Sequence, residues 1–279
     1  IHSMRRKGIK LPLPSYTTSK EIFKYGIYLY LPVVSVYMIN YILTLELGAF
    51  SSKENVSFFA VSMSLVAVSF LLFVPISKIL MPTVSRLRKL GDRNKLEVIG
   101  KVLAKYIGVA SIFIASIFCF GSALILRLIY GSEYLGAALV LAILSVAIFF
   151  ETYKFITDPF LNGAGYARTV SHIEIGKLIV IITAGSFLIR THGAMGAASA
   201  FLIGSFISYM LRLRMLNRRL SLNLYKEAVK IFVLLVFLGV SLLAGLNFAV
   251  FLVVAILFVL FSRLVSFKEL KTIYGLMVS

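Results

Sequence analysis

The sequence predicts an all-α fold, a polytopic membrane bundle of about eight transmembrane helices. The first observation behind this is composition. Hydrophobic residues make up 60% of the 279-residue chain and charged residues only 14%, with a mean hydropathy of +0.97. A soluble domain carries about 25% charged residues, and the surface it can bury is limited by its size. The surplus apolar surface needs a second apolar solvent, and lipid supplies it. The second observation is length. Apolar runs of about 20 residues, enough to cross the hydrocarbon core as helices, fall at 24–46, 57–80, 104–126, 135–157, 172–189, 194–211, 229–246 and 248–263.

The third observation is where the charge lies. Net charge is +18, from 29 Lys and Arg against 11 Asp and Glu. With the N-terminal arm placed inside, 26 of the 29 basic residues fall on inner segments, and only Lys53, Arg127 and Arg190 fall on outer ones. This is the positive-inside pattern, with both ends cytoplasmic. The basic excess is thereby topological, and no nucleic-acid partner is expected. The opening residues are basic and polar, with Pro12 and Pro14, and the first apolar run starts near Phe23, so no secretory signal is read there. Residue 1 is Ile. The chain reads as a C-terminal piece of something longer, or as starting at Met4.

The first helix carries Tyr30, Tyr37, Tyr41 and Thr44 within about 60° on one face, with Asn40 on the flank. Hydroxyls and an amide at mid-membrane suit an aqueous cavity that hydrogen-bonds sugars; helix–helix hydrogen bonding is the alternative. Asn55-Val56-Ser57, a glycosylation-type sequon, falls in an outer loop before the second helix. Pro32, Pro75 and Pro159 interrupt predicted helices, and transporters use such breaks as bending points. Cys119, in the third helix, reads as a small hydrophobe.

Near the inner end of the fourth helix, Glu151, Lys154 and Asp158 share one face, and Glu174 and Lys177 repeat the pattern on the fifth. Ions at membrane depth are costly and mark functional sites. One reading is a polar patch facing a water-filled cavity that holds an anionic head group or relays protons. The other is self-neutralising pairs at the cytoplasmic interface. The sixth helix is rich in small residues from Gly193 to Ala200 and again at Gly204, which permits close helix packing. The last two runs are short and parted by little more than Asn247, so they form a tight hairpin, or dip in without crossing; Lys226, Lys230 and Lys268 can extend them by snorkelling. HExxH, GxSxG, Walker-type and CxxC motifs are absent, and His2, His172 and His192 lack metal-ligand spacing. No enzyme, cofactor or metal is expected.

The run Ile129-Tyr130-Gly131-Ser132-Glu133-Tyr134-Leu135-Gly136-Ala137-Ala138, with Leu141 and Leu144 beyond it, resembles an outer loop and helix of the polysaccharide-biosynthesis flippases. These are the lipid-linked oligosaccharide exporters of the multidrug/oligosaccharidyl-lipid/polysaccharide superfamily. Leu161-Asn162-Gly163-Ala164-Gly165, Gly193-Ala194-Met195-Gly196-Ala197-Ala198-Ser199-Ala200, Pro82-Thr83-Val84-Ser85-Arg86 with Gly91-Asp92, and Leu47-Gly48-Ala49-Phe50 are similar to further family segments in order. The resemblance implies helices seven to fourteen of a fourteen-helix flippase. On that basis residues 1–23 are a cytoplasmic arm or inter-lobe linker, 24–214 a six-helix lobe, and 215–279 a linker, terminal helix pair and tail. It further implies alternating access in the plasma membrane, carrying a polyprenyl-diphosphate-linked oligosaccharide from the cytoplasmic to the outer leaflet. The implied partners are membrane lipid, the lipid-linked oligosaccharide, and glycosyltransferases or a polymerase of the same pathway. Lys154 and Lys177 are then the candidate head-group contacts, with Tyr37, Asn40 and Tyr41 lining the cavity. Leu43 stands where many relatives carry an acid, the nearest acid being Glu46. The alternatives are a cation-coupled multidrug exporter of the same superfamily, an integral-membrane enzyme of glycan or lipid synthesis, and a non-transporting scaffold.

Overall fold

The computed structural model describes residues 16–222, 224–243 and 248–261, and these are helical with short connections. Helix α1 spans Tyr16–Phe50, α2 Lys53–Phe70 and α3 Val74–Lys89. Helix α4 spans Arg93–Ile129, and a 3-10 turn, Ser132–Ala137, leads into α5, Ala138–Thr152. Then come α6, Lys154–Gly163, α7, Ala167–Leu220, α8, Tyr225–Leu243, and α9, Phe248–Phe261. Ser19–Phe50, Arg93–Ile129, Ser132–Gly163 and Ala167–Leu220 are long and apolar enough to cross a membrane, and α2 with α3 passes as one span bent by 47°. The protein is an all-α, multi-pass membrane bundle.

The sequence explains each break. The second predicted helix splits at residues 71–73, and Pro75 occupies the first turn of α3, where a missing N–H costs nothing. The fourth splits at Tyr153. Pro159 cannot donate to the Phe155 carbonyl and its ring crowds it, so the helix yields just upstream. Tyr153 is fully buried there, its hydroxyl donating to the Ala104 carbonyl at 3.1 Å and its ring packed on Phe149 and Tyr209.

Helix α7 is two helices in one. Gly193 has φ 54° and ψ −128°, a conformation that only glycine adopts readily, and the side chain of Asn55 packs against it. Beyond it the chain runs back antiparallel. Gly196 lies against Leu188, Gly204 against Ile181, and Arg212 reaches Glu174. The small residues of the second arm are therefore the contact face, and 172–189 and 194–211 are two separate crossings. The first arm runs parallel to α1: Ser171 donates to the Tyr28 carbonyl, and Ser186 Oγ donates to Glu46 Oε1 at 2.7 Å. The seventh and eighth predicted helices correspond to α8 and α9. Asn247, Lys268 and His2 lie outside the described residues, as does the Lys226 side chain.

Contacts sort the connections to two ends. At one end Tyr25 donates to the Asn162 carbonyl at 2.8 Å, and Arg88 and Arg219 both sit over the Tyr166 ring. At the other, Arg190 sits over Phe50, Asn55 meets Gly193, and Phe58 packs on Tyr134. The strongly basic connections thus share one end. Between the ends, Leu71, Ile117, Ile179 and Leu257 stand with more than half of their surface outside the bundle. Each would lose about 1.5–3 kcal/mol in water relative to an apolar medium, so a lipid surround is required.

Candidate functional site

A cavity of about 320 Å³ opens between α1, α2, α5, α6 and α7. Asn40 and Thr44 line it from α1, Met63 from α2, and Glu151, Lys154 and Lys177 from α5, the start of α6 and the first arm of α7. The break at Tyr153 places Glu151 at the end of one helix and Lys154 at the start of the next, both aimed at the same space.

Beneath it runs a buried ion network. Glu151 accepts from Lys177 through Oε1 and from Lys154 Nζ through Oε2, the latter at 3.1 Å. Arg212, on the second arm of α7, binds Asp158 Oδ1 through Nε at 2.7 Å, Glu174 through Nη2, and the Ser208 hydroxyl through Nη1. Three carboxylates face three cations, so the network is neutral as a whole. This is the physical condition for keeping six ions at this depth, since an unpaired one costs several kcal/mol. The Lys177 and Arg212 side chains are 1% and 4% exposed, whereas Lys154 keeps 18%. The Lys154 ammonium also lies 5.4 Å and 5.6 Å from the Phe70 and Phe155 ring centres, where the aromatic faces attract it.

The five charged residues singled out from sequence, Glu151, Lys154, Asp158, Glu174 and Lys177, are brought together. The α1 stripe is divided. Ile39, Leu43 and Leu47 take the buried side, which turns Tyr30, Tyr37 and Tyr41 outward, 67%, 63% and 70% exposed, while Asn40 and Thr44 reach the cavity. Thr44 bonds back to the Asn40 carbonyl at 2.8 Å, and Asn40 Oδ1 is buried without a partner. Arg212 was missed by sequence reasoning because it lies just past the sixth apolar run and was counted with the inner loop. A signal for it existed: three acids against two lysines leave one carboxylate unmatched. Among the described residues, no group of three or more His, Cys, Asp or Glu is placed to hold a metal. His172 and His192 pair locally, with Arg168 and Thr191. Cys119 is buried with its Sγ 3.3 Å from the Ala142 carbonyl.

Comparison with known proteins follows the same direction. Residues 6–139 match the family described as polysaccharide biosynthesis protein. The chain is 26% identical over 219 residues to "Probable flippase AglR" of Haloferax volcanii, an alignment covering 76% of this chain and 45% of that protein. It is 25% identical over 203 residues to "Uncharacterized membrane protein MJ1068" of Methanocaldococcus jannaschii, covering 72% of this chain and 40% of the relative. The chain spans less than half the length of these curated relatives.

Proposed function

We propose that this member of the polysaccharide-biosynthesis flippase family carries a polyprenyl-diphosphate-linked oligosaccharide from the cytoplasmic to the outer leaflet by alternating access. In this reading the chain is the C-terminal part of a fourteen-helix protein of the plasma membrane, and its basic connections lie on the cytoplasmic side. Glycosyltransferases or a polymerase of the same pathway would supply or consume the cargo. The cavity between α1, α2, α5, α6 and α7 receives the charged head group.

One observation carries the reading. The cavity's cations are balanced internally, yet Lys154 alone keeps appreciable exposure among the network's lysines and arginine. An entering anion can draw Lys154 away from Glu151 without stranding that carboxylate, because Lys177 still holds its other oxygen. Release of the anion returns Lys154 to Glu151. The network thus offers one exchangeable cation on a fixed frame, which suits binding followed by release better than permanent capture.

The test is glycan export by the intact transporter. Lys154→Ala should lower export while leaving the amount of protein in the membrane unchanged. Lys177→Ala should lower both, because the cation it removes is 1% exposed and water cannot take its place, leaving the buried Glu151 to the partly exposed Lys154 alone. Export by Lys154→Ala equal to wild type would remove that lysine, and the head-group role of the cavity, from the reading.

A further inference from the structure

The basic end of the bundle holds a second hollow that the transport reading leaves unused. It measures about 300 Å³ and lies where the α3–α4 turn meets the link after α7. Arg88, Arg93 and Arg219 line it, and Leu96, Leu220 and Leu222 form an apolar floor. Arg88 and Arg219 come from helices far apart in the chain. Their guanidinium carbons nonetheless lie over one ring, 5.2 Å and 5.4 Å from the centre of Tyr166.

Like charges gathered in this way repel, and the neighbouring acids do not relieve them. Asp92 caps α4 through the Lys95 amide and binds the Lys95 ammonium at 3.0 Å, while Glu97 is held by Lys101 at 2.6 Å. Among the described residues, none of the three arginines is in an ion pair with a carboxylate. Each helix C-terminus attracts a cation of its own. This accounts for Arg88 in the last turn of α3 and Arg219 in that of α7, but not for their convergence with Arg93 around one hollow. The Tyr166 ring draws Arg88 and Arg219 together, and an anion bound between the three would account for Arg93 facing the same hollow.

We propose that this hollow binds the phosphate of an anionic phospholipid head group. Planar guanidiniums match phosphate oxygens two at a time. The hollow lies at the ends of helices long and apolar enough to cross a membrane, on the strongly basic end of the bundle, and such basic clusters attract an anionic leaflet. The leucine floor gives the glycerol and upper acyl carbons a surface that a free phosphate cannot use. This site is separate from the central cavity and does not depend on what that cavity carries.

Thermal unfolding of the intact purified protein, titrated with phosphatidylglycerol, phosphatidylcholine or inorganic phosphate, tests the assignment. Phosphatidylglycerol should stabilise saturably, and the other two should not. Arg88→Gln with Arg219→Gln should weaken apparent phosphatidylglycerol affinity by roughly tenfold or more. Lys78→Gln with Lys89→Gln, which removes the same charge elsewhere on α3, should leave it unchanged. Arg93→Gln alone should weaken it severalfold, which keeps the test open if the double arginine variant fails to accumulate. Equal weakening by the lysine pair would show a diffuse basic surface instead of a site and overturn the proposal. Equal stabilisation by phosphatidylcholine, or by inorganic phosphate alone, would overturn the lipid assignment too.

Discussion

Removing Arg212 is the sharpest perturbation of the buried network. In Arg212→Met, Asp158 and Glu174 lose their shared cation, and the Ser208 hydroxyl loses its donor. The Glu174 side chain is 2% exposed, and its Oε2 already lacks a partner. Lys177, one turn along from Glu174, offers little relief because it is engaged by Glu151. Breaking a buried pair by deleting one member costs about 3–5 kcal/mol, mostly the penalty on the charge left behind. For a chain of this size that is roughly 5–9 °C in the unfolding midpoint, measurable for the purified protein in detergent. The cost lies in stranded charge, so it should be reversible. Adding Asp158→Asn and Glu174→Gln to Arg212→Met should recover most of the loss, whereas Arg212→Lys, which lacks the second fork, should fall between. An Arg212→Met protein as stable as wild type would refute the reasoning. So would a triple variant no better than the single one, since the damage would then be packing and not charge.

Two further outcomes follow from the architecture. Gly196→Leu places a side chain where the Leu188 carbonyl lies, so the two arms of α7 must part. It should cost about 1–3 kcal/mol or more, read as a lower unfolding midpoint, while Met195→Leu on the exposed side should be within about 0.5 kcal/mol of wild type; equal midpoints for the two variants would refute the hairpin. Lys53→Cys and Lys89→Cys, at opposite ends of the bundle, should react with a membrane-impermeant maleimide from outside and only after permeabilisation, respectively, the buried native Cys119 remaining silent. The reverse pattern would invert the proposed orientation, and labelling of both from one side would contradict the two-ended bundle.

Much of the fold was legible because lipid imposes one rule along the whole chain. Every crossing must be apolar and helical, so composition and spacing locate the crossings. The fold-back at Gly193 was legible for the same reason: Arg190, Thr191, His192 and Gly193 interrupt an otherwise continuous run. Bends were only partly legible. Pro75 and Pro159 announced that the helices yield, but the break beside Pro159 falls at Tyr153, where a buried ring and a hydroxyl bond to α4 hold it. The tyrosine stripe shows the limit more clearly. Residues 30, 37 and 41 share a face by periodicity, and periodicity alone cannot say whether that face looks inward. Within this chain the neighbours at 39, 43 and 47 take the buried side by being the better residues to bury.

The charged cluster follows a stricter logic than the stripe, which is why it was easier to read. A tyrosine is tolerated either at a lipid interface or in a cavity, so its position is set by whatever packs best. A carboxylate at membrane depth has no such freedom and must find a cation. Glu151, Asp158 and Glu174 therefore share one neighbourhood, and the carboxylate left over by Lys154 and Lys177 is met by a cation that the sequence reading missed, Arg212 from the far arm of α7. The same constraint shapes what the cavity can do. A frame that must stay neutral cannot attract an anion by net charge, so selectivity has to come from which ion pair yields most readily. In the proposed reading that pair is Lys154 with Glu151, the lysine having a single ion-pair contact and resting on two aromatic faces.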